Sequence, residues 1–117
     1  MTWLVRPAAL ALTLALMTGA AAQSQYPDRP IRVITNAAGT LPDTVARIIQ
    51  PALEKSLGKP IIIENIGGAG GSISAERAAR ATPDGYTILI TGDAAMTTNV
   101  TMIEKLSYDP VKDFRAV

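Results

Sequence analysis

Three consecutive isoleucines, Ile61 to Ile63, lead into Glu64-Asn65-Ile66-Gly67-Gly68-Ala69-Gly70-Gly71-Ser72, and a helix-like pattern starts at Ile73. A branched apolar run that ends in glycines and resumes as a helix reads as a strand-turn-helix unit. Glycines at that junction tolerate positive φ and let backbone N–H groups approach a partner closely. The helix start beyond them carries unsatisfied donors and the positive end of the helix dipole. Two readings stay open: an anion cradle for phosphate or carboxylate, or a tight turn with no ligand. Spacing excludes the nucleotide motifs. The third glycine of a dinucleotide fingerprint would fall at Ile73, and no Gly-Lys-Ser/Thr triplet follows.

The same alternation runs along the chain. Ile31 to Thr35 reads as a β-branched strand, Asn36 to Leu41 as a turn with Gly39, and a helix is expected from near Pro42 to Gly58. Val45, Ile48, Ile49, Ala52 and Leu53 recur at helical spacing and predict its apolar face. Pro51 removes one backbone hydrogen bond and predicts a kink or break. Pro60 to Glu64 is the second strand, whose unbroken isoleucines predict burial on both faces. Ser72 or Ser74 is a candidate cap for a second helix running to about Ala81. Thr82-Pro83-Asp84-Gly85 is a turn, and Tyr86 to Thr91 a third strand. A short helix is expected around Met96 to Ile103, and a helical turn from Asp109-Pro110 through Phe114. Strands alternating with helices imply parallel crossovers, so the expected fold class is α/β, an open, mainly parallel sheet with flanking helices. Ligands on such sheets sit beyond the C-terminal strand ends, here Asn36 to Thr40, Gly67 to Ser72 and Thr91 to Ala94.

The N-terminus reads as an export signal. Arg6 supplies the charge, Ala8 to Met17 the apolar run, and Ala20-Ala21-Ala22 the cleavage site before Gln23. The run is too short for a stable membrane span. The expected division is a signal peptide at 1–22 and one small α/β domain at 23–117. With no cysteine, disulfides and a lipid-modified N-terminal Cys are excluded, which fits a bacterial periplasmic protein. Losing Arg6 from 11 basic residues leaves them matched to the 10 acidic ones, so no nucleic-acid or polybasic membrane partner is expected. Histidine is absent too, which removes Ser-His-Asp and Cys-His catalysis and His-containing zinc sites. Asp43, Asp84 and Asp93 have no recognisable catalytic spacing. No catalytic residue, metal site or cofactor is expected, and the chain does not read as an enzyme.

Four motifs stand in order: Tyr26-Pro27-Asp28-Arg29-Pro30-Ile31-Arg32; Glu64-Asn65 followed by Gly68-Ala69-Gly70-Gly71; Pro83-Asp84-Gly85-Tyr86-Thr87; and Tyr108-Asp109-Pro110-Val111-Lys112-Asp113-Phe114. In this order the chain, from Tyr26 to Val117, resembles the Bug receptors. These are the TctC-like periplasmic solute-binding proteins of tripartite tricarboxylate transporters. The resemblance implies two α/β domains closing on a small organic acid, with this chain matching part of the first domain and the second domain missing. It implies a non-enzymatic, periplasmic role: delivery of a small carboxylate-bearing metabolite to the membrane permease subunits. Carried over by position, the ligand contacts are Asn36, Ala37, Ala38 and Gly39, then Gly70, Gly71 and Ser72, then Thr91, Gly92 and Asp93. They fall in the three loops already singled out.

Departures from the family pattern accompany this. The first loop lacks the usual proline- and aromatic-rich stretch and paired glycines before Asp43. Ser72 stands where asparagine is common, and Asp93 where small hydroxyl residues are typical. A carboxylate at Asp93 would repel an anion, so it points away, recognises a ligand amine, or caps the short helix after it. The resemblance stops partway through the family's length, so the chain reads as a fragment of a longer product or as a truncated remnant. Two alternatives accompany the receptor reading: a remnant or interaction protein that binds nothing, and an enzyme of phosphate-ester chemistry at the glycine turn. The last has no acid–base or metal set to support it.

Cleavage after Ala22 is the expected fate of the export signal. Mass spectrometry of the periplasmic fraction should find a mature N-terminus at Gln23, and recovery of the intact chain in the inner membrane would overturn this.

Overall fold

Three short strands pair side by side in the order β2-β1-β3, every pair parallel. The computed structural model describes residues 25–117, and the expected signal peptide at 1–22 lies outside them. In chain order the elements are β1 (Ile31–Thr35), α1 (Leu41–Leu57), β2 (Ile61–Asn65), a 3-10 turn (Ala69–Gly71), α2 (Ser72–Ala79), β3 (Thr87–Ile90), α3 (Asp93–Met96) and α4 (Thr98–Met102). This is the expected open α/β arrangement. Ile31 faces Ile61, Val33 faces both Ile63 and Ile88, and Thr35 faces Asn65 and Ile90.

Alternation along β1 splits the core in two. Ile31 and Val33 pack with Ala46 of α1 and Ile61, joined by Leu53, Leu57, Ile63, Tyr86, Ile88 and Ile90. Ile34 is fully buried on the other side of β1. The second cluster holds Ala75 of α2, Ala95 of α3 and Tyr108, with Leu89, Met96, Leu106 and Phe114 around them. Tyr108 fastens α3 by donating its O–H to the Ala95 carbonyl, and its ring meets Phe114 edge-on at 5.9 Å. The Asp109-Pro110 segment closes one turn, with Asp113 N–H bound to the Asp109 carbonyl. The Asp109 carboxylate accepts the N–H groups of Val111 and Lys112, which lowers its pKa.

Two of the four sequence motifs clasp each other at the far end of the sheet. Tyr26 meets Tyr86 edge-on at 5.1 Å, and Arg29 lies over the Tyr86 ring at 4.2 Å while pairing with Asp84 at 2.7 Å. Tyr86 donates its O–H to the Asp28 carboxylate at 2.6 Å, which lowers the Asp28 carboxyl pKa and raises that of the phenol. These motifs hold β1 beside β3.

Three expectations are corrected. The break expected as one outcome at Pro51 does not occur: α1 runs through it, and Pro51 sits on its exposed side, where the Arg47 carbonyl that loses its donor can be hydrated. β2 is an edge strand, so only Ile61 is fully buried and Ile62 is 54% exposed. Most of the apolar stripe expected on α1 faces out: Val45, Ile48, Ile49 and Ala52 are exposed, Ile48 at 72%, while Leu53 alone of that stripe packs on the core. The side turned to the sheet carries Asp43, Ala46, Gln50, Leu53 and Leu57 instead.

Polar anchors explain that rotation. Gln50 donates to the Ile61 carbonyl at 2.9 Å, and Glu54 accepts the Ile61 N–H at 2.9 Å. Asp43, buried in the first turn, accepts the Gly39 N–H at 2.8 Å, Asn65 Nδ2 at 2.7 Å and Arg47 Nε at 3.1 Å. Its position also complements the positive end of the helix. Gly58, at φ 66, ends the helix by returning its N–H to the Glu54 carbonyl, as the sequence predicts.

The hydrogen bonds from Asn65, Gly39 and Arg47 hold the Asp43 carboxyl at a pKa of about 2, below its ordinary 3.8. A depressed carboxyl contributes stability above its unfolded pKa and loses it as pH falls through the folded value. The wild type should therefore lose this contribution between pH 3.8 and about 2. Asp43→Asn should be less stable at neutral pH and show a shallower acid dependence in that window. Acid unfolding curves of identical shape would sink this assignment.

Candidate functional site

Parallel pairing points the C-terminal ends of all three strands the same way, so the loops leaving them meet at one edge. The contact is direct. A Cβ on Gly67 would stand 2.9 Å from the Ala37 Cβ, so the first and second loops touch. A Cβ on Gly71 would stand 2.8 Å from Thr91 Oγ1 and 3.1 Å from Asn36 Nδ2. Gly71 also has φ +89, so both space and backbone conformation require glycine there.

Asn36 is the junction. Its Oδ1 accepts the Ser74 hydroxyl at 2.9 Å and the Thr91 hydroxyl at 3.0 Å. Its main-chain carbonyl accepts Asn65 Nδ2 at 3.0 Å. One half-buried residue thus ties together the ends of β2 and β3 and the first turn of α2.

The glycine turn is held from the other side by Asn99. This side chain, 9% exposed, donates to the Ala69 carbonyl at 3.1 Å, the Gly70 carbonyl at 3.3 Å and Ser72 Oγ at 2.7 Å. Because Ser72 Oγ receives a proton from Asn99, its own O–H remains to be given elsewhere. Within the turn, Gly71 N–H bonds the Gly68 carbonyl at 3.0 Å and Ser72 N–H the Ala69 carbonyl. Those two amides are consumed by the turn itself. Gly68, Ala69, Gly70 and Gly71 all have positive φ, and Ala69 at 45° is the one non-glycine case among the described residues. Holding alanine there costs about 1–2 kcal/mol. α2 begins at Ser72 behind Gly71 with no side-chain cap bond, so neither Ser72 nor Ser74 caps it. With the Ser72 amide spent in the turn, the amides of Ile73 and Ser74 have no side-chain cap.

The remaining expected residues lie around this centre. Ala37 gives its carbonyl to the Thr40 N–H and O–H, and Gly39 gives its N–H to Asp43. Ala38 is exposed on the loop crest. Gly92 stands at the N-cap of α3 and Asp93 follows as its first residue, exposed and making no capping bond. The structure thus brings Asn36, Gly71 and Thr91 into contact, with Gly70 and Ser72 alongside through Asn99, while Ala38 and Asp93 stay outside that set. Sequence reasoning missed the roles of Asp43, Ser74 and Asn99. Asn65 was visible only as part of the Glu64-Asn65 motif. Arg47, bound to Asp43 and to Asn65 Oδ1, is already committed, so the edge presents neutral donors around a glycine turn.

Residues 45–117 match the model of the tripartite tricarboxylate transporter family receptor, TctC. UPF0065 proteins of Agrobacterium vitis and Bordetella bronchiseptica are each 40% identical, over 99 and 116 residues. The matches cover 84% and 97% of this chain but 28% and 35% of those relatives. Among solved structures, MatC from Rhodopseudomonas palustris with bound malate aligns with a TM-score of 0.71 at 43% identity, covering 76% of this chain and 31% of that one. An R. palustris protein with adipate gives 0.69 at 30% identity, covering 73% and 29%. The parallel sheet and these matches lead to one conclusion: the chain belongs to the TctC family of tripartite tricarboxylate transporter receptors.

Proposed function

We propose that residues 23–117 form part of the first ligand-binding domain of a periplasmic receptor. In this reading they supply one wall of a cleft for a small carboxylate and hand the ligand to membrane permease subunits, with no reaction catalysed. The observation that carries this reading is the convergence of three strand-end loops on Asn36, Gly71 and Thr91 beside the uncapped start of α2. Bound malate and adipate in two similar structures support the ligand class. A carboxylate at this edge gains about 0.3–1 kcal/mol from the helix dipole and about 1.5–3 kcal/mol per charge-assisted hydrogen bond. Neutral donors suffice for such an anion, and they suit reversible capture.

Titration with malate, followed by backbone amide NMR, tests the placement even at low affinity. Shifts should concentrate on Asn36 to Gly39, Gly70 to Ser72 and the first turn of α2. Gly71→Ala, which drives a methyl group into Thr91 and Asn36, should weaken binding at least about tenfold, equal to about 1.4 kcal/mol. Shifts confined to other surfaces, or an unchanged response in Gly71→Ala, would remove the glycine turn from the site.

Asp93 offers a second check. Replacing an exposed carboxylate on the rim with serine removes repulsion toward an anion. Asp93→Ser should bind malate as tightly as the wild type or more so. A clear loss of malate affinity would show that Asp93 contributes favourably and that the ligand-facing polarity has been misread.

A further inference from the structure

The Asn36 side chain is satisfied on one end only. Its oxygen lies within hydrogen-bond reach of the Ser74 and Thr91 hydroxyls, the Ser74 proton being shared with the Gly71 carbonyl, while Nδ2 donates to no partner among the described residues. That nitrogen is nevertheless not sealed in, because the one buried, unpartnered side-chain polar atom among those residues is Thr35 Oγ1. Nδ2 therefore reaches solvent at the point where the three loops meet, against Gly71. A carboxamide fixed by its oxygen with its NH2 left open is a ready two-proton donor.

Proton counting favours one way round for the amide. Ser74 has one hydroxyl proton and lies 2.8 Å from the Gly71 carbonyl and 2.9 Å from Asn36 Oδ1, so it is satisfied in either orientation. Thr91 has Asn36 as its one side-chain partner here, at 3.0 Å. With the oxygen inward, Thr91 donates to it and every hydroxyl proton has an acceptor. With the nitrogen inward, Thr91 becomes an acceptor and its own proton has to turn to solvent, which half-buried Thr91 can reach.

We propose that Asn36 is the polarity-selecting residue of this site. Ser74 and Thr91 lock its oxygen inward, and its outward NH2 receives an anionic oxygen and excludes a cationic group. The ligand part of this inference rests on the carboxylate reading above, whereas the orientation of the amide does not. The selector is built from three elements: the end of β1 supplies the amide, and α2 and the end of β3 supply the hydroxyls that hold it.

Asn36→Asp is the discriminating variant. It keeps the shape and still accepts both hydroxyls, but presents an outward oxygen in place of the NH2. The variant should stay folded and lose malate affinity at least about tenfold. Asn36 side-chain amide exchange in the ligand-free wild type reads the orientation independently: an outward NH2 exchanges as fast as in an exposed asparagine. Slowed exchange, the mark of protons held by Ser74 and Thr91, would overturn the orientation whatever the ligand. Malate binding by Asn36→Asp at wild-type strength would overturn the selecting role. Fast exchange with no malate response in the wild type would instead overturn the carboxylate reading and the anion-receiving role with it.

Discussion

Both hydrogen-bonding edges of β1 are taken by parallel strands, and a parallel pair cannot be closed by a hairpin. Each pairing needs a crossover long enough to carry the chain back to the starting end. α1 makes the first crossover along the face of Ile31 and Val33, and α2 makes the second along the opposite face. All three strands consequently finish at the same end of the sheet. The loops that leave them have little room to stay apart, which is why Gly67 lies against Ala37 and Gly71 against Thr91. Crowding of backbone at that edge is a product of topology, and the glycines are what make it sterically possible.

The orientation of α1 shows polar contacts overruling apolar pattern. Its most hydrophobic stripe is left facing out, while a side bearing Asp43, Gln50 and Glu54 is turned toward the sheet. Those three side chains satisfy the backbone of Gly39 and of Ile61. Leaving the Ile61 N–H and carbonyl unpaired against the sheet would cost more than exposing a few apolar side chains. Asp43 matters twice over, because its bonds to Gly39 and Asn65 also set where the first loop begins.

Much of this was legible in the residues alone. β1, the limits of α1 at Gly58, the glycine turn and the parallel class follow from short-range pattern, and the meeting of three loops follows from the class. What the pattern could not supply was partner choice across the chain. The Ser74 and Thr91 hydroxyls lie 38 and 55 residues from Asn36, and Asn99 lies 27 from Ser72. No local spacing encodes such meetings. Ile62 misled for a related reason: three isoleucines look alike whether the strand is central or at an edge, and only the order β2-β1-β3 separates the cases. Pro51 suggested a break that does not occur, because on the exposed side of the helix the carbonyl that loses its donor can use water instead.

Ala69 carries a consequence for how fast the proposed site would work. A turn of glycines alone would sample many shapes, and a ligand would have to wait for, or select, the one that fits. Alanine in left-handed backbone narrows that sampling, and the Asn99 bonds to the Ala69 and Gly70 carbonyls hold the surviving shape. The ordering is completed when the chain folds and is not repeated at each encounter. In the proposed receptor, arrival at this wall would then be governed by diffusion and orientation, and differences among ligands would be expressed in how long each one stays.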